Sequence, residues 1–217
     1  MTTLVLVFVL AIIKLSDVAN ADEESFTWTR EFSATGYIIK PSNGIRKPFT
    51  IYHDEEGSRS RVDYYGGEIK RIWTGSLFYK LLWTTNSSTH VPEQSCFYYG
   101  AHLGLLSSIY DVVPPMGHLK SARTEPCDTD TTTIYASVVF SNLSCHRYEI
   151  EYFPFKQVFW TTKDLGNENK VTPVRIMDYW PEKEEVIFLS YTAGELDDEV
   201  FDVGLLTDLG KCEERSE

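Results

Sequence analysis

Four cysteines, Cys96, Cys127, Cys145 and Cys212, carry the most definite chemistry in this chain. None forms a C-x-x-C pair, and their separations are too wide to show the close ligand pairs of a zinc site. An even set without that spacing reads as two disulfides formed in an oxidising compartment. Four cysteines allow three connectivities, and spacing alone does not select one. The working pairing is Cys127–Cys145, with Cys96–Cys212 tying the C-terminal part back to the domain. The inner bridge would close a loop of about 17 residues, which the chain-entropy model rates at about 3 kcal/mol.

Residues suited to catalysis are sparse. His53-Asp54-Glu55 has the composition of a metal site but lacks the second histidine of H-E-x-x-H. Neighbours on a strand also point to opposite faces, so His53 and Asp54 would not converge. His90, His102, His118 and His146 share no ligand spacing. The acidic run Glu195-Leu196-Asp197-Asp198-Glu199 departs from the calcium-loop pattern and reads as a solvated loop. There is no G-x-S-x-G elbow and no glycine-rich phosphate loop. The expectation is a non-catalytic protein with no catalytic residue, no metal and no cofactor.

Aromatic residues are the more suggestive set. Phe153, Phe155, Phe159 and Trp160 crowd one stretch, and Tyr64, Tyr65, Trp73, Phe78, Tyr79 and Trp83 another. Their ordinary reading is the core of a β domain. Their functional reading is an apolar cavity for a lipid-like or aromatic ligand, since large pockets are lined mainly by such side chains. Trp73, Tyr79, Trp83, Phe159 and Trp160 are the candidate lining residues.

The elements that would position them are mostly strands. Phe32–Lys40, Phe49–His53, Arg61–Tyr65, Glu68–Trp73, Leu77–Trp83, Ile134–Phe140, Tyr148–Tyr152, Val158–Thr161, Val174–Tyr179 and Val186–Tyr191 are short, β-branched and aromatic-rich runs. Their short connections predict an antiparallel meander. Gly66-Gly67 supplies the positive φ of a tight hairpin. Tyr148-Glu149-Ile150-Glu151-Tyr152 alternates as a half-buried strand, whereas Leu77–Trp83 is apolar on both sides and predicts cover on both faces. One helix is predicted from His102, with Leu105, Leu106, Ile109, Val112 and Val113 at helical spacing before Pro114-Pro115. The fold class expected is mainly β (α+β), a strongly curved antiparallel sheet or partial barrel with one or two helices. The concave side of such a sheet must be filled by a helix, a second sheet or a ligand.

Residues 1–21 read as a signal peptide. Leu4–Ile13 is a ten-residue apolar run, too short for a membrane span of roughly 20 residues, and Ala19-Asn20-Ala21 supplies an A-x-A cleavage site. Residues 22–217 are then a single secreted or lumenal domain with no later stretch long enough for a stable membrane span. Asn86-Ser87-Ser88 and Asn142-Leu143-Ser144 are N-glycan acceptor motifs, with Asn86 in the more polar surroundings. Twenty Lys+Arg against 32 Asp+Glu give a net charge of −12, which argues against nucleic acid as a partner and against electrostatic attachment to anionic lipid.

Phe32-Ser33-Ala34-Thr35-Gly36-Tyr37 and Ser60-Arg61-Val62-Asp63-Tyr64-Tyr65-Gly66-Gly67 carry a resemblance. The chain is similar there to the N-terminal, non-peptidase domain of the 26/29 kDa class of papain-like cysteine proteases. The likeness continues at Cys145-His146-Arg147-Tyr148, at Thr172–Ile176 and at Asp197–Val203, and closes on Cys212. It spans most of Phe32 to Cys212 and is thin between Gly100 and Ser144. In that family an inhibitory propeptide and a peptidase domain follow the last cysteine. Here five residues follow Cys212, so the resemblance implies the accessory domain standing alone, with no catalytic residue to carry over. It also implies, more remotely, a lipoprotein-carrier (LolA-like) architecture with an apolar concave side. Two functions follow as expectations: a binding module for a hydrophobic small molecule or lipid, and a module that docks or regulates a papain-like protease. A structural or storage role is the third. Arg61 and Asp63, at i and i+2 on one strand face, are expected to form a local ion pair, making the Ser60, Arg61, Asp63, Tyr64, Tyr65, Gly66, Gly67 motif scaffold.

Overall fold

The computed structural model describes residues 28–75, 77–100, 120–131, 134–152, 155–164, 167–179, 183–206 and 212–215. The predicted signal peptide and the helix predicted from His102 lie outside these residues. Twelve strands form one sheet: β1 (Glu31–Lys40), β2 (Ile45–Asp54), β3 (Arg59–Tyr64), β4 (Ile69–Thr74), β5 (Leu77–Thr85), β6 (Pro92–Tyr99), β7 (Lys120–Pro126), β8 (Ser144–Tyr152), β9 (Phe155–Asp164), β10 (Asn167–Asp178), β11 (Glu184–Ala193) and β12 (Glu213–Glu214). Their order is β12-β6-β5-β4-β3-β2-β1-β11-β10-β9-β8-β7. The chain is therefore two antiparallel meanders, β1–β6 and β7–β11, joined where β1 pairs with β11. Only β12, against β6, pairs in parallel among the described strands. The sheet is open, with β12 and β7 at its edges.

Period-two alternation sorts the side chains onto two faces. On β1, Phe32, Ala34 and Ile38 enter one face, and Ser33, Thr35, Tyr37 and Ile39 the other. The first, the aromatic face, carries one buried cluster contributed by β1–β5 and β8–β11, including Phe49, Ile51, Val62, Tyr64, Trp73, Phe78, Tyr148, Phe159, Ile176 and Phe188. The second, the strap face, is covered at its two ends by chain outside the sheet. At one end lie Cys127, Phe140, Cys145, Val158, Trp160, Met177 and Ile187. At the other lie Ile72, Leu81 and Cys96 under Val203 and Cys212. Leu77–Trp83 contributes Phe78 to one face and Leu81 to the other, so β5 is covered on both sides as its composition predicts.

Ile134–Phe140 is not a strand: Ile134–Val139 forms helix α1. β7 and β8 pair with each other down to Pro126↔Ser144, and Cys127 is bonded to Cys145 just beyond. The segment between is thus a closed excursion, and Ile134–Val139 lies in it as a helix despite a β-branched composition that favours strands. A second short helix, α2, spans Val203–Leu206. Cys96 is bonded to Cys212. The β3–β4 connection is a tight turn over Tyr65, Gly66 and Gly67, all at positive φ (52°, 70° and 99°).

Candidate ligand-binding face

The register of five hairpin pairings lines up one row of side chains across the aromatic face. Phe32 opposes His53, His53 opposes Ser60, Ser60 opposes Trp73, Trp73 opposes Phe78, and Phe78 opposes Tyr99. Such directly opposed pairs are the closest cross-strand neighbours in a sheet. The rings stack along the row: Trp73 on Phe78 at 5.0 Å between centroids, Phe78 on Tyr99 at 5.5 Å, and Phe32 against His53 at 5.3 Å. Trp28 lies over the middle of the sheet, 5.4 Å from Phe32, 5.3 Å from Phe159 and 6.1 Å from Phe188. Beside it the Tyr191 hydroxyl bonds the Thr29 hydroxyl at 2.7 Å, and burial raises the phenol above its ordinary pKa.

Two polar groups interrupt this row. His53 Nδ1 and Ser60 Oγ share a hydrogen bond of 3.1 Å. Burial lowers the His53 pKa, with Glu55 and Asp54 acting in the opposite sense, so the imidazole is held towards its neutral form. Trp73, 8% exposed, has a buried Nε1–H with no hydrogen-bond partner. Deeper along the face, Lys47 Nζ sits 3.3 Å above the Tyr64 ring, with the Arg71 guanidinium 5.5 Å away. The chemistry such a surface performs is apolar contact with a few oriented polar groups.

The five candidate lining residues do not share a face. Trp73 and Phe159 stand on the aromatic face. Tyr79 packs against the strap-face cluster, and Trp83, also on that side, is 43% exposed. Trp160 is buried on the strap face, where its Nε1–H donates to Glu125 Oε1 at 2.8 Å and its ring lies 3.7 Å from the Arg175 guanidinium. That arginine is paired with Glu185 at 3.0 Å, both side chains 0% exposed, and also donates to the Thr129 carbonyl. Burial lowers the Arg175 pKa while Glu185 acts to restore it. Trp160 thus belongs to a buried polar lock that pins the Cys127–Cys145 excursion to the sheet.

Ser60, Arg61, Asp63, Tyr64 and Tyr65 divide between the faces. Ser60 and Tyr64 lie on the aromatic face. Arg61 and Asp63 form a bidentate pair on the strap face at 2.7 and 2.6 Å. Arg61 also donates to the Val200 carbonyl at 2.8 Å, and neighbouring Arg59 pairs with both Asp54 and Asp198. The motif therefore anchors the residues around Val200, while the Leu196 N–H on Glu31 and the Cys96–Cys212 bridge hold other parts of the C-terminal chain to the sheet. Tyr65 is exposed at the turn. His53 and Asp54 point to opposite faces, and among the described residues no group of three or more His, Cys, Asp or Glu is placed to hold a metal.

Asn86 sits in the β5–β6 turn, where its Oδ1 accepts from Ser88 N–H, Ser88 Oγ–H and Thr89 N–H. Asn142 is exposed at φ 69° within the Cys127–Cys145 excursion.

No protein-family model matches the chain, and no curated protein matches it. Among solved structures it is similar to the crystal structure of an uncharacterized conserved protein from Thermus thermophilus. The two are 10% identical, with a TM-score of 0.50 over 93% of this chain and 99% of that one. At that identity the likeness is one of fold alone.

Proposed function

We propose that this protein is a secreted, non-catalytic binding module that holds a hydrophobic small molecule or lipid against the aromatic face. The observation that carries the reading is the continuity of that face, on which strands of both meanders contribute one apolar, ring-rich buried cluster. Curvature of the sheet towards it, in the manner of a LolA-like carrier, is supported by the bulges. The β1–β11 register shifts between Thr35 and Gly36, and the β9–β10 register between Pro173 and Arg175. Bulges bend a strand and increase its twist. Gly36 lies at the first of them, where a Cβ would meet the Ile187 carbonyl oxygen at 1.9 Å and Phe49 Cζ at 2.7 Å. Only glycine lets the Phe49 ring close over the strand at that bend. Among the described residues no helix is long and apolar enough to cross a membrane.

The test is a fluorescence titration with N-phenylnaphthylamine, a neutral probe that brightens in apolar surroundings. Saturable enhancement is expected, weakened by Trp28→Ala on the aromatic face and unchanged by Trp83→Ser on the strap face. A flat titration of the folded protein would refute the proposal.

A further inference from the structure

We infer that Trp73, Ser60 and His53 form a polar anchor for the neutral carbonyl oxygen of an apolar ligand, such as an ester or ketone, lying along the aromatic row. The inference rests on the ligand-binding reading above and adds the chemical class of the head group.

The argument starts from hydrogen-bond accounting. An indole N–H can only donate, so its partner must be an acceptor. The Trp73 Nε1–H is buried and has none, and a buried donor left unsatisfied costs more than one left at the surface. Its cross-strand neighbour Ser60, 6% exposed, carries a hydroxyl already oriented by His53. The next residues in the row, Phe78 and Tyr99 on one side and Phe32 on the other, are rings. A ligand filling this row would meet apolar walls at both ends and a small polar notch between them. That is the arrangement by which a mainly apolar site fixes orientation.

Charge selects the kind of acceptor. No side chain in the row is a permanent cation, the nearest cations on the face, Lys47 and Arg71, are drawn to the Tyr64 ring, and burial keeps His53 towards neutrality. Glu55 and Asp54 are near enough to act on the imidazole, so a carboxylate there would be desolvated with no cation in the row itself to pair it. A neutral carbonyl oxygen accepts from the Trp73 N–H and from the Ser60 hydroxyl, which in turn accepts from the Nδ1–H tautomer of His53, without that cost.

The experiment compares methyl laurate with tridecane, an alkane of similar length, each displacing N-phenylnaphthylamine from the folded protein with its disulfides intact. Trp73→Phe keeps a ring but removes the N–H, and Ser60→Ala is the second variant. Trp73→Phe is expected to weaken the ester by roughly fivefold, the equivalent of one net hydrogen bond, and the alkane by less than about twofold. Ser60→Ala should shift the same ratio in the same direction. If both probes bind and their ratio is unmoved in both variants, or if both weaken equally, the anchor is refuted while the apolar site stands. If neither probe displaces the dye from the wild-type protein, the ligand-binding reading fails with it.

Discussion

Replacing Arg61 by methionine is the perturbation that separates scaffold from ligand contact in the Ser60–Gly67 motif. The change removes the bidentate pair with Asp63 and the bond to the Val200 carbonyl while keeping most of the side chain's apolar length. Removing one partner of a fully buried ion pair costs about 3–5 kcal/mol, and a single hydrogen bond to a charged group contributes about 1.5–3 kcal/mol. Here the side chains are 10% and 12% exposed, and Lys70 stands opposite Asp63 on β4. Water and that lysine soften the penalty on the stranded carboxylate, so the expected loss is about 2–3 kcal/mol. Adding Asp63→Leu removes the carboxylate and should recover about 1–2 kcal/mol, leaving about 1 kcal/mol for the lost strap bond. Urea unfolding of the disulfide-intact protein measures both values, and N-phenylnaphthylamine affinity should stay within about twofold of wild type. A loss below about 0.5 kcal/mol, or a double variant as unstable as the sum of the two singles, would refute the reasoning.

Four further outcomes follow from the same contacts. Glu185→Gln strands Arg175 in the core and should cost about 3–5 kcal/mol by urea unfolding, whereas Arg175→Met with Glu185→Leu should return close to wild type. Cys127→Ser with Cys145→Ser opens the loop around α1 and should cost about 3 kcal/mol in the same assay. Thermal unfolding against pH should show two windows. Burial opposes ionisation of Asp54, but the Gly57 N–H and Arg59 outweigh it and hold its pKa below the ordinary value. Its contribution is therefore complete above the unfolded value, about pH 4, and lost as pH falls through the folded value; Asp54→Asn should flatten that limb. Burial depresses His53, so stability should also decline as pH falls below the unfolded value of about 6.5, a limb that His53→Gln should remove. On protein secreted from eukaryotic cells, Asn86→Gln is expected to remove a glycan-dependent mobility shift on a denaturing gel, and an unchanged shift would place the glycan elsewhere.

Where burial alternates strongly, the strands could be read directly. β1 alternates buried and half-buried residues along most of its length, and β11 carries a contiguous apolar run, Val186–Leu189, flanked by polar residues; the mainly β, antiparallel architecture follows from such runs. β6 and β7 left weaker traces. The first opens with Pro92-Glu93-Gln94, and the second, at the sheet edge, reads Lys-Ser-Ala-Arg-Thr-Glu-Pro, with little apolar signal. Ile134–Phe140 has the composition of a strand, yet Ile134–Val139 is helical inside the loop closed by Cys127–Cys145, a tertiary outcome that local composition does not carry.

The candidate site was legible by residue type but not by side. Phe159 and Trp160 are adjacent on a strand and cannot line one surface, and Tyr79 and Trp83 have the opposite parity to Phe78. Parity could have divided these residues into two sets, but which set a ligand could reach depends on what covers each face. The Phe32–His53–Ser60–Trp73–Phe78–Tyr99 row depends on the registers of several successive hairpins. Gly66-Gly67 marked only one of those turns. Arg61 and Asp63 were readable as a local pair, but their hold on Val200, 139 residues from Arg61 in the chain, was not.

Native mass spectrometry of the protein secreted from eukaryotic cells and purified without detergent tests the ligand-carrying claim most directly. A bound apolar molecule should appear as a discrete adduct of a few hundred daltons, released by organic extraction and depleted in Trp28→Ala. Protein that arrives at its bare mass, and takes up no apolar molecule when incubated with total lipid extract, would contradict it.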